Sequence, residues 1–161
     1  MSKNKLYNNI NIYPFAVSNQ LGELNFYKDH LSGVTGTLEN KTVLNMHYGE
    51  IPKIIQVRTT TIDSIRFQDD YPIDILKIDV EGHQLKVLEG AEKAIKTDLP
   101  ILLIELGGLE LGCQYDAFNF LKNLGYIIFD QQKLTIAHDP PWDAIAISPK
   151  FIDLVDKIKN I

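Results

Sequence analysis

The sequence contains one cysteine, Cys113, among its 161 residues. A single thiol cannot form an intrachain disulfide, and it cannot supply a thiolate cluster for structural zinc. Disulfide-stapled secreted domains and zinc folds of the cysteine type are therefore excluded. This cysteine content is typical of a protein in a reducing compartment.

Long apolar runs are also missing. The longest, residues 101–104 and 126–129, are far shorter than the roughly 20 residues that a membrane-spanning helix needs. The chain begins with basic side chains, but no apolar segment of signal-peptide length follows them. We therefore expect a cytoplasmic protein that does not contact a membrane.

Positive charge is in deficit as well. Lys and Arg number 16 against 21 Asp and Glu, which gives a net charge of −5 at pH 7 and would repel nucleic-acid phosphates. The sequence has no Gly-x-Ser-x-Gly elbow, no Gly-Lys-Ser/Thr phosphate loop and no Gly-x-Gly-x-x-Gly fingerprint. Nucleic-acid binding, hydrolysis by a serine elbow and phosphoryl transfer are left without support.

The apolar residues that are present indicate strands in the first half of the chain. Residues 10–17, 24–27 and 54–61 have the β-branched and aromatic content of strands, and residues 73–80 return to it. Between them, residues 29–53 form a long irregular segment that is either a variable surface loop or a loop that faces a substrate.

The middle of the chain carries the clearest unit. Leu85, Leu88, Ala91 and Ile95 recur on one face and predict an amphipathic helix of about three turns. The unbroken apolar run at residues 101–104 then predicts a strand in the middle of a parallel sheet covered by helices. A strand, a crossover helix and a second strand make a right-handed βαβ unit.

The remaining residues complete an α/β domain. Residues 126–129 and 144–148 have strand character, and helices are predicted around residues 116–124 and 149–158. We therefore predict one α/β domain that ends in an antiparallel pair of strands.

Polar side chains gather where the strand at residues 73–80 ends. Asp79, Glu81 and His83 occupy five residues directly before a helix. One interpretation is structural, since acids at a helix start are stabilised by the helix dipole and can cap free amides. The other is functional: Asp79 or Glu81 accepts a proton from a substrate hydroxyl or orients a ligand amine, and His83 is a more exposed assistant.

Glu105 ends the next buried strand and should lie at the same edge of the sheet. It is either a solvated acid that marks the strand end or a member of the same site. Together with Asp79 and Glu81 it would make a cluster of three acids. The spacing matches no recognised metal motif, so we assign no metal.

Several segments resemble the second half of the FkbM-type methyltransferases. They read Thr-Thr-Thr-Ile-Asp-Ser-Ile at residues 59–65, Lys-Ile-Asp-Val-Glu-Gly at 77–82, Leu-Glu-Gly-Ala at 88–91 and Leu-Ile-Glu at 103–105. Pro-Phe-Ala-Val-Ser at residues 14–18 resembles the third strand of that family. The resemblance spans roughly residues 10–130.

The resemblance implies a fold, a cofactor and a reaction. The fold would be the Rossmann-like class I methyltransferase fold, a mainly parallel sheet with a C-terminal antiparallel pair. The cofactor would be S-adenosylmethionine, and the reaction O-methylation of a sugar or another hydroxyl-bearing small molecule. Ala16 and Val17 would lie by the adenine. Asp79 would orient the reactants and Glu81 would act as the base.

The resemblance also implies that part of the family's domain is missing. Its glycine-rich cofactor loop and ribose-binding acid precede the matched part, and the residues before Ile10 are too few for two strands with their helices. We therefore expect residues 1–161 to form one N-terminally truncated domain that lacks the first two strands and binds S-adenosylmethionine weakly or not at all. Its exposed sheet edge would favour self-association. The alternative is a non-catalytic remnant that serves as a binding or interaction module.

Overall fold

The computed structural model describes residues 10–28, 36–39, 51–107 and 113–159. These residues form two four-stranded sheets and the helices around them. The first sheet contains β1 (Ala16–Val17), β2 (Gly22–Lys28), β3 (Gly36–Thr37) and β4 (Lys53–Thr60). The second contains β5 (Ile75–Ile78), β6 (Ile101–Glu105), β7 (Ile127–Asp130) and β8 (Asp143–Ile147).

Five α-helices belong to the described part of the chain. They are α1 (Ile62–Asp69), α2 (Gln84–Glu89), α3 (Glu92–Asp98), α4 (Cys113–Asn123) and α5 (Ile152–Lys159), the last preceded by a 3-10 turn at Pro149–Phe151. Within the same residues, no helix is both long enough and apolar enough to span a membrane.

The first sheet has the strand order β1-β4-β2-β3. β2 and β4 are antiparallel along their whole length, and β1 runs parallel to the end of β4. The predicted strand at residues 10–17 is wrong for most of its length, because only Ala16 and Val17 pair with a neighbour. Pro14 contributes to the difference, since it has no N–H to donate to a strand ladder.

The second sheet has the order β5-β6-β8-β7. β5 and β6 are parallel, and β8 is antiparallel to both β6 and β7. The predicted α/β class and the C-terminal antiparallel pair are confirmed. The mainly parallel pattern is not seen among the described strands, because both sheets are mixed.

The predicted helix that begins near Leu85 is two short helices, α2 and α3. The chain passes so close to the loop after β1 that a Cβ at Gly90 would collide with the carbonyl oxygen of Ser18. Gly90 fits this close approach because it has no side chain. Around the break, Leu88 and Ile95 still face the main core, as the pattern predicts.

The long irregular segment is described only in part. Residues 36–39 and 51–53 lie inside the described residues, where Gly36–Thr37 forms β3 and Lys53 begins β4. The remainder of this predicted loop lies outside them. In the described piece, β3 lies beside the turn that follows β5.

Candidate functional site

The turn between β5 and α2 carries the predicted site residues in an unusual backbone conformation. Glu81 has φ 48° and Gly82 has φ 97°, and the N–H of His83 donates to the carbonyl oxygen of Val80 at 3.2 Å. The left-handed region is uncommon for a residue with a side chain. Glu81 is therefore held by its surroundings rather than by its own preference.

Asp79, Glu81 and Glu105 come together at the carboxyl ends of β5 and β6, as their positions after the predicted strands indicate. A carboxylate oxygen from each lies within 4.8 Å of the others. Asp143 pairs with Glu105 across β6 and β8 and adds a fourth acid nearby. Exposed acidic groups often cluster in this way without an ion, so we assign no metal.

Glu105 has a strongly altered acidity. Burial raises its pKa to about 7, and the hydrogen bond with Asp79 and the charges of Glu81, Asp79 and Asp143 act in the same direction. Each of these causes disfavours the carboxylate form. Near neutral pH, Glu105 therefore carries a proton for a large part of the time. Asp79 is partly balanced by Lys77, whose Nζ lies 3.1 Å from its Oδ2.

His83 is buried, with 6% of its surface exposed, so the prediction of a more exposed assistant is wrong. Its Nδ1 lies 2.5 Å from Oε1 of Glu39, and its Nε2 lies 2.9 Å from the hydroxyl of Ser18. Both ring nitrogens are thus occupied by protein groups. The prediction failed because the two partners lie 44 and 65 residues away in the sequence.

Residues 37–39 also bind the turn through Thr37. The hydroxyl of Thr37 donates to the carbonyl oxygen of Glu81 at 2.8 Å and accepts the N–H of Glu39 at 3.0 Å. Sequence reasoning gave no role to Ser18, Thr37 or Glu39. The only indication in the sequence was the polar composition of the irregular segment, and that composition does not predict which turn the segment contacts.

A cavity of about 210 Å³ lies between the first sheet and the turn that follows β5. Most of its lining is apolar, and the residues that line it are Ala16, Val17, Phe26, Gly36, Thr37, Leu38, Asp79, Val80 and His83. The structure thus places the predicted cofactor contacts Ala16 and Val17 beside the same space as Asp79. Glu81 and Glu105 do not line the cavity. Their carboxylates lie beside that of Asp79 at the carboxyl ends of β5 and β6.

The polar groups of the cavity wall are largely in use. Both nitrogens of His83 and the hydroxyl of Thr37 already bind protein atoms. Asp79 already accepts from Lys77 and from Glu105, but a carboxylate has further lone pairs that can accept a hydrogen bond from a ligand. Because sites for drug-sized ligands measure about 300–1,000 Å³, this space suits a single ring system or one end of a longer ligand.

Trp142 lies at the same edge, directly before Asp143. Its carbonyl oxygen accepts the N–H groups of Leu106 at 2.7 Å and Gly107 at 3.0 Å. Gly107 packs so closely on the indole that a Cβ there would collide with the ring, yet 63% of Trp142 is exposed. An aromatic surface is therefore fixed against Gly107, two residues after Glu105, a feature that the sequence pattern did not single out.

The family model of the methyltransferase FkbM domain matches residues 2–128 of the chain. The match contains β1 to β6 and the acids Asp79, Glu81 and Glu105, whereas Trp142 and Asp143 follow it. Neither a curated protein nor a solved structure matches the chain.

Proposed function

The chain belongs to the FkbM methyltransferase family, and on this premise we propose that it transfers a methyl group from S-adenosylmethionine to a hydroxyl group. The observation that carries the proposal is the cavity between the first sheet and the turn that follows β5. Ala16, Val17 and Asp79, to which the family resemblance assigns cofactor and reaction roles, all line it. The parallel β5 and β6 with the C-terminal antiparallel pair support a class I fold.

The cavity and its edge are chemically suited to this cofactor. The aliphatic side chains of Ala16 and Val17 would contact the flat adenine ring. Asp79 would face the methionine end, whose ammonium and sulfonium groups are cations, and a carboxylate makes strong hydrogen bonds to an ammonium. The volume of about 210 Å³ accommodates one end of such a molecule rather than all of it.

The three acids have different proposed roles in the reaction. S-adenosylmethionine supplies an activated methyl group, so the protein needs to align the acceptor oxygen and remove its proton. Glu81 is the proposed base, and Asp79 is the proposed orienter. Because the pKa of Glu105 is raised to about 7, protonated Glu105 can donate to Asp79 and leave the negative charge on Asp79 and Glu81.

The acceptor is proposed to be a sugar or another ring compound with hydroxyl groups. The carboxylates at the sheet edge can accept hydrogen bonds from hydroxyls. The exposed indole of Trp142, fixed against Gly107, offers an apolar surface on which the C–H face of a ring can lie. Both features stand at the edge where Glu81 would act.

Isothermal titration of the chain with S-adenosylhomocysteine tests the proposal. We expect saturable binding that Ala16→Leu and Asp79→Asn each weaken by about tenfold, because one fills the cavity and the other removes its carboxylate. Asp74→Asn is the matched control, since Asp74 is an exposed acid just before the opposite end of β5. Circular dichroism would establish that the variants are folded.

Two outcomes would overturn the proposal. One is the absence of saturable heat when the ligand is raised to low millimolar concentration. The other is an affinity that Ala16→Leu leaves unchanged, which would place the ligand outside the cavity.

A further inference from the structure

We propose that Glu39 and His83 are positioning residues, and that with Ser18 and Thr37 they form a clasp that holds Glu81 and the cavity wall in place. The catalytic consequence of the clasp depends on the proposed function. The structural role of the clasp, which is to fix the turn, does not depend on the proposed function. The structural role and the catalytic consequence can therefore be tested separately.

The clasp joins three parts of the chain that are distant in sequence. Ser18 follows β1, and His83 directly precedes α2. Thr37 is the last residue of β3, and Glu39 lies two residues further along the chain. Ser18 and Thr37 are each 1% exposed and His83 is 6% exposed. Buried polar groups are costly unless they are paired, so a chain of satisfied contacts here strongly favours one arrangement of the three segments.

The chemistry of the groups sets the direction of the hydrogen bonds to His83. A carboxylate can only accept, so the Nδ1–H of His83 donates to Glu39. When the ring is neutral, Nε2 accepts and the hydroxyl of Ser18 donates to it. This is the order of groups in the catalytic triad of a serine hydrolase.

The surroundings of Ser18 argue against a nucleophile. Its side chain is almost fully buried, and it is not among the residues that line the cavity. Its N–H donates to the carbonyl oxygen of Thr60 at 2.9 Å, so this amide is not free to stabilise an oxyanion. The same contacts suit a group that anchors His83.

The clasp holds Glu81 from both sides. Thr37 binds the carbonyl oxygen of Glu81, and Glu39 binds the side chain of His83 two residues later. The left-handed backbone of Glu81 is unfavourable for a residue with a side chain, and such conformations persist where surrounding contacts hold them. Loss of the clasp would let the turn relax and move Glu81 away from Asp79.

The same contacts also fix one wall of the cavity. Gly36, Thr37 and Leu38 line it, and Glu39 follows them directly. The Cγ of Glu39 lies 3.6 Å from the place that a Cβ at Gly82 would occupy, so the segment packs against the turn. A freed Glu39 would therefore loosen the wall and the turn together.

The test compares Glu39→Ala, Thr37→Val and the conservative variant Thr37→Ser. Hydrogen exchange at the amides of Glu39 and His83, and the NMR signal of the His83 Nδ1 proton, report on the clasp without any ligand. We expect Glu39→Ala and Thr37→Val to speed exchange at both amides about tenfold, and Thr37→Ser to match the wild type. Glu23→Ala, at an exposed acid on β2, is the matched control.

Affinity for S-adenosylhomocysteine reports on the positioning role. We expect Glu39→Ala to weaken it about tenfold and Thr37→Ser to retain it. Unchanged exchange at His83 in both Glu39→Ala and Thr37→Val would overturn the clasp, and unchanged affinity in a variant with an opened turn would overturn its positioning role. A wild-type chain that binds no ligand would overturn the proposed function and the positioning role, while exchange would still decide whether the clasp exists.

Discussion

Glu81 combines a left-handed backbone with a place among three carboxylates. The conformation turns the chain sharply between the end of β5 and the start of α2. The carboxylates of Asp79 and Glu105 lie beside its own, and the side chain of the N-cap residue His83 makes no capping hydrogen bond to α2. At the scale of the residue, the turn places the carboxylate of Glu81 beside two others.

Replacing Glu81 with Gln should separate proton removal from structure. Gln keeps the shape of the side chain and lacks the basic oxygen, so we expect turnover to fall by roughly 10²–10⁴-fold, with binding of S-adenosylhomocysteine nearly unchanged. Turnover is measured as S-adenosylhomocysteine formed. An unchanged rate, or a loss explained by a lower Tm, would leave Glu81 with a structural role alone.

The raised pKa of Glu105 predicts how the stability of the fold depends on pH. Its pKa rises from 4.5 to about 7 in the fold, so between these values the folded chain binds more protons than the unfolded chain. The contribution of Glu105 to stability is therefore complete below pH 4.5 and declines as the pH rises toward 7.

Glu105→Gln should remove this decline, because an amide imitates the protonated acid. We expect the variant to have a higher Tm than the wild type at pH 8 and a similar Tm below pH 4.5. Thermal unfolding across this range measures both. The same dependence on pH in variant and wild type would show that Glu105 is not the group responsible.

At the scale of the element, α1 is fastened to α3 and to the start of β5 by a buried ion pair. Arg66 binds Asp98 through two hydrogen bonds of 2.6 and 3.0 Å, and the N–H of Ile73 donates to the same carboxylate. The side chains of Arg66 and Asp98 are 8% and 4% exposed. This contact sets the position from which β5 runs to the site.

Asp98→Ala should destabilise the fold by about 3 kcal/mol, because it leaves the charge of Arg66 buried without this partner. Urea unfolding at neutral pH measures the loss. The hydrogen bonds from Arg66 lower the pKa of Asp98 while burial opposes them. In the wild type, this contribution is present above the ordinary carboxyl pKa and is lost as the pH falls through the lowered value. Equal stability of wild type and variant at neutral pH would contradict the assigned role.

Local sequence patterns predicted most of the elements but not their interruptions. Strands β2, β4 and β6 follow from their composition, and the three acids follow from the strand ends. The break at Gly90 depends on the approach of Ser18, and the burial of His83 depends on Glu39. These contacts join residues that no local pattern connects.

At the scale of the whole molecule, β5 forms an edge of its sheet among the described strands. It pairs with β6 on one side only, and Ile75 is 63% exposed. Unpaired amides and carbonyls on an apolar edge favour pairing with a second chain. We therefore propose that the molecule self-associates through β5.

Light scattering after size exclusion tests this association. Ile75→Lys should shift the chain toward the monomer, because a charge on an edge strand disfavours pairing. Ile152→Lys is the control, since Ile152 is an exposed apolar residue on a helix, α5, and not on a strand. A wild-type chain that stays monomeric at high concentration would contradict the prediction, and so would an association that Ile75→Lys leaves intact.

Trp142 is the only tryptophan of the sequence, and it directly precedes Asp143, the partner of Glu105 across β6 and β8. Excited at a wavelength that tyrosine does not absorb, the protein therefore emits from one known position. An exposed indole emits at long wavelength and shifts toward the blue when a ligand displaces water from its face. The chain thus carries its own optical reporter, and panels of hydroxyl compounds can be screened by emission alone, with no label and no knowledge of the reaction.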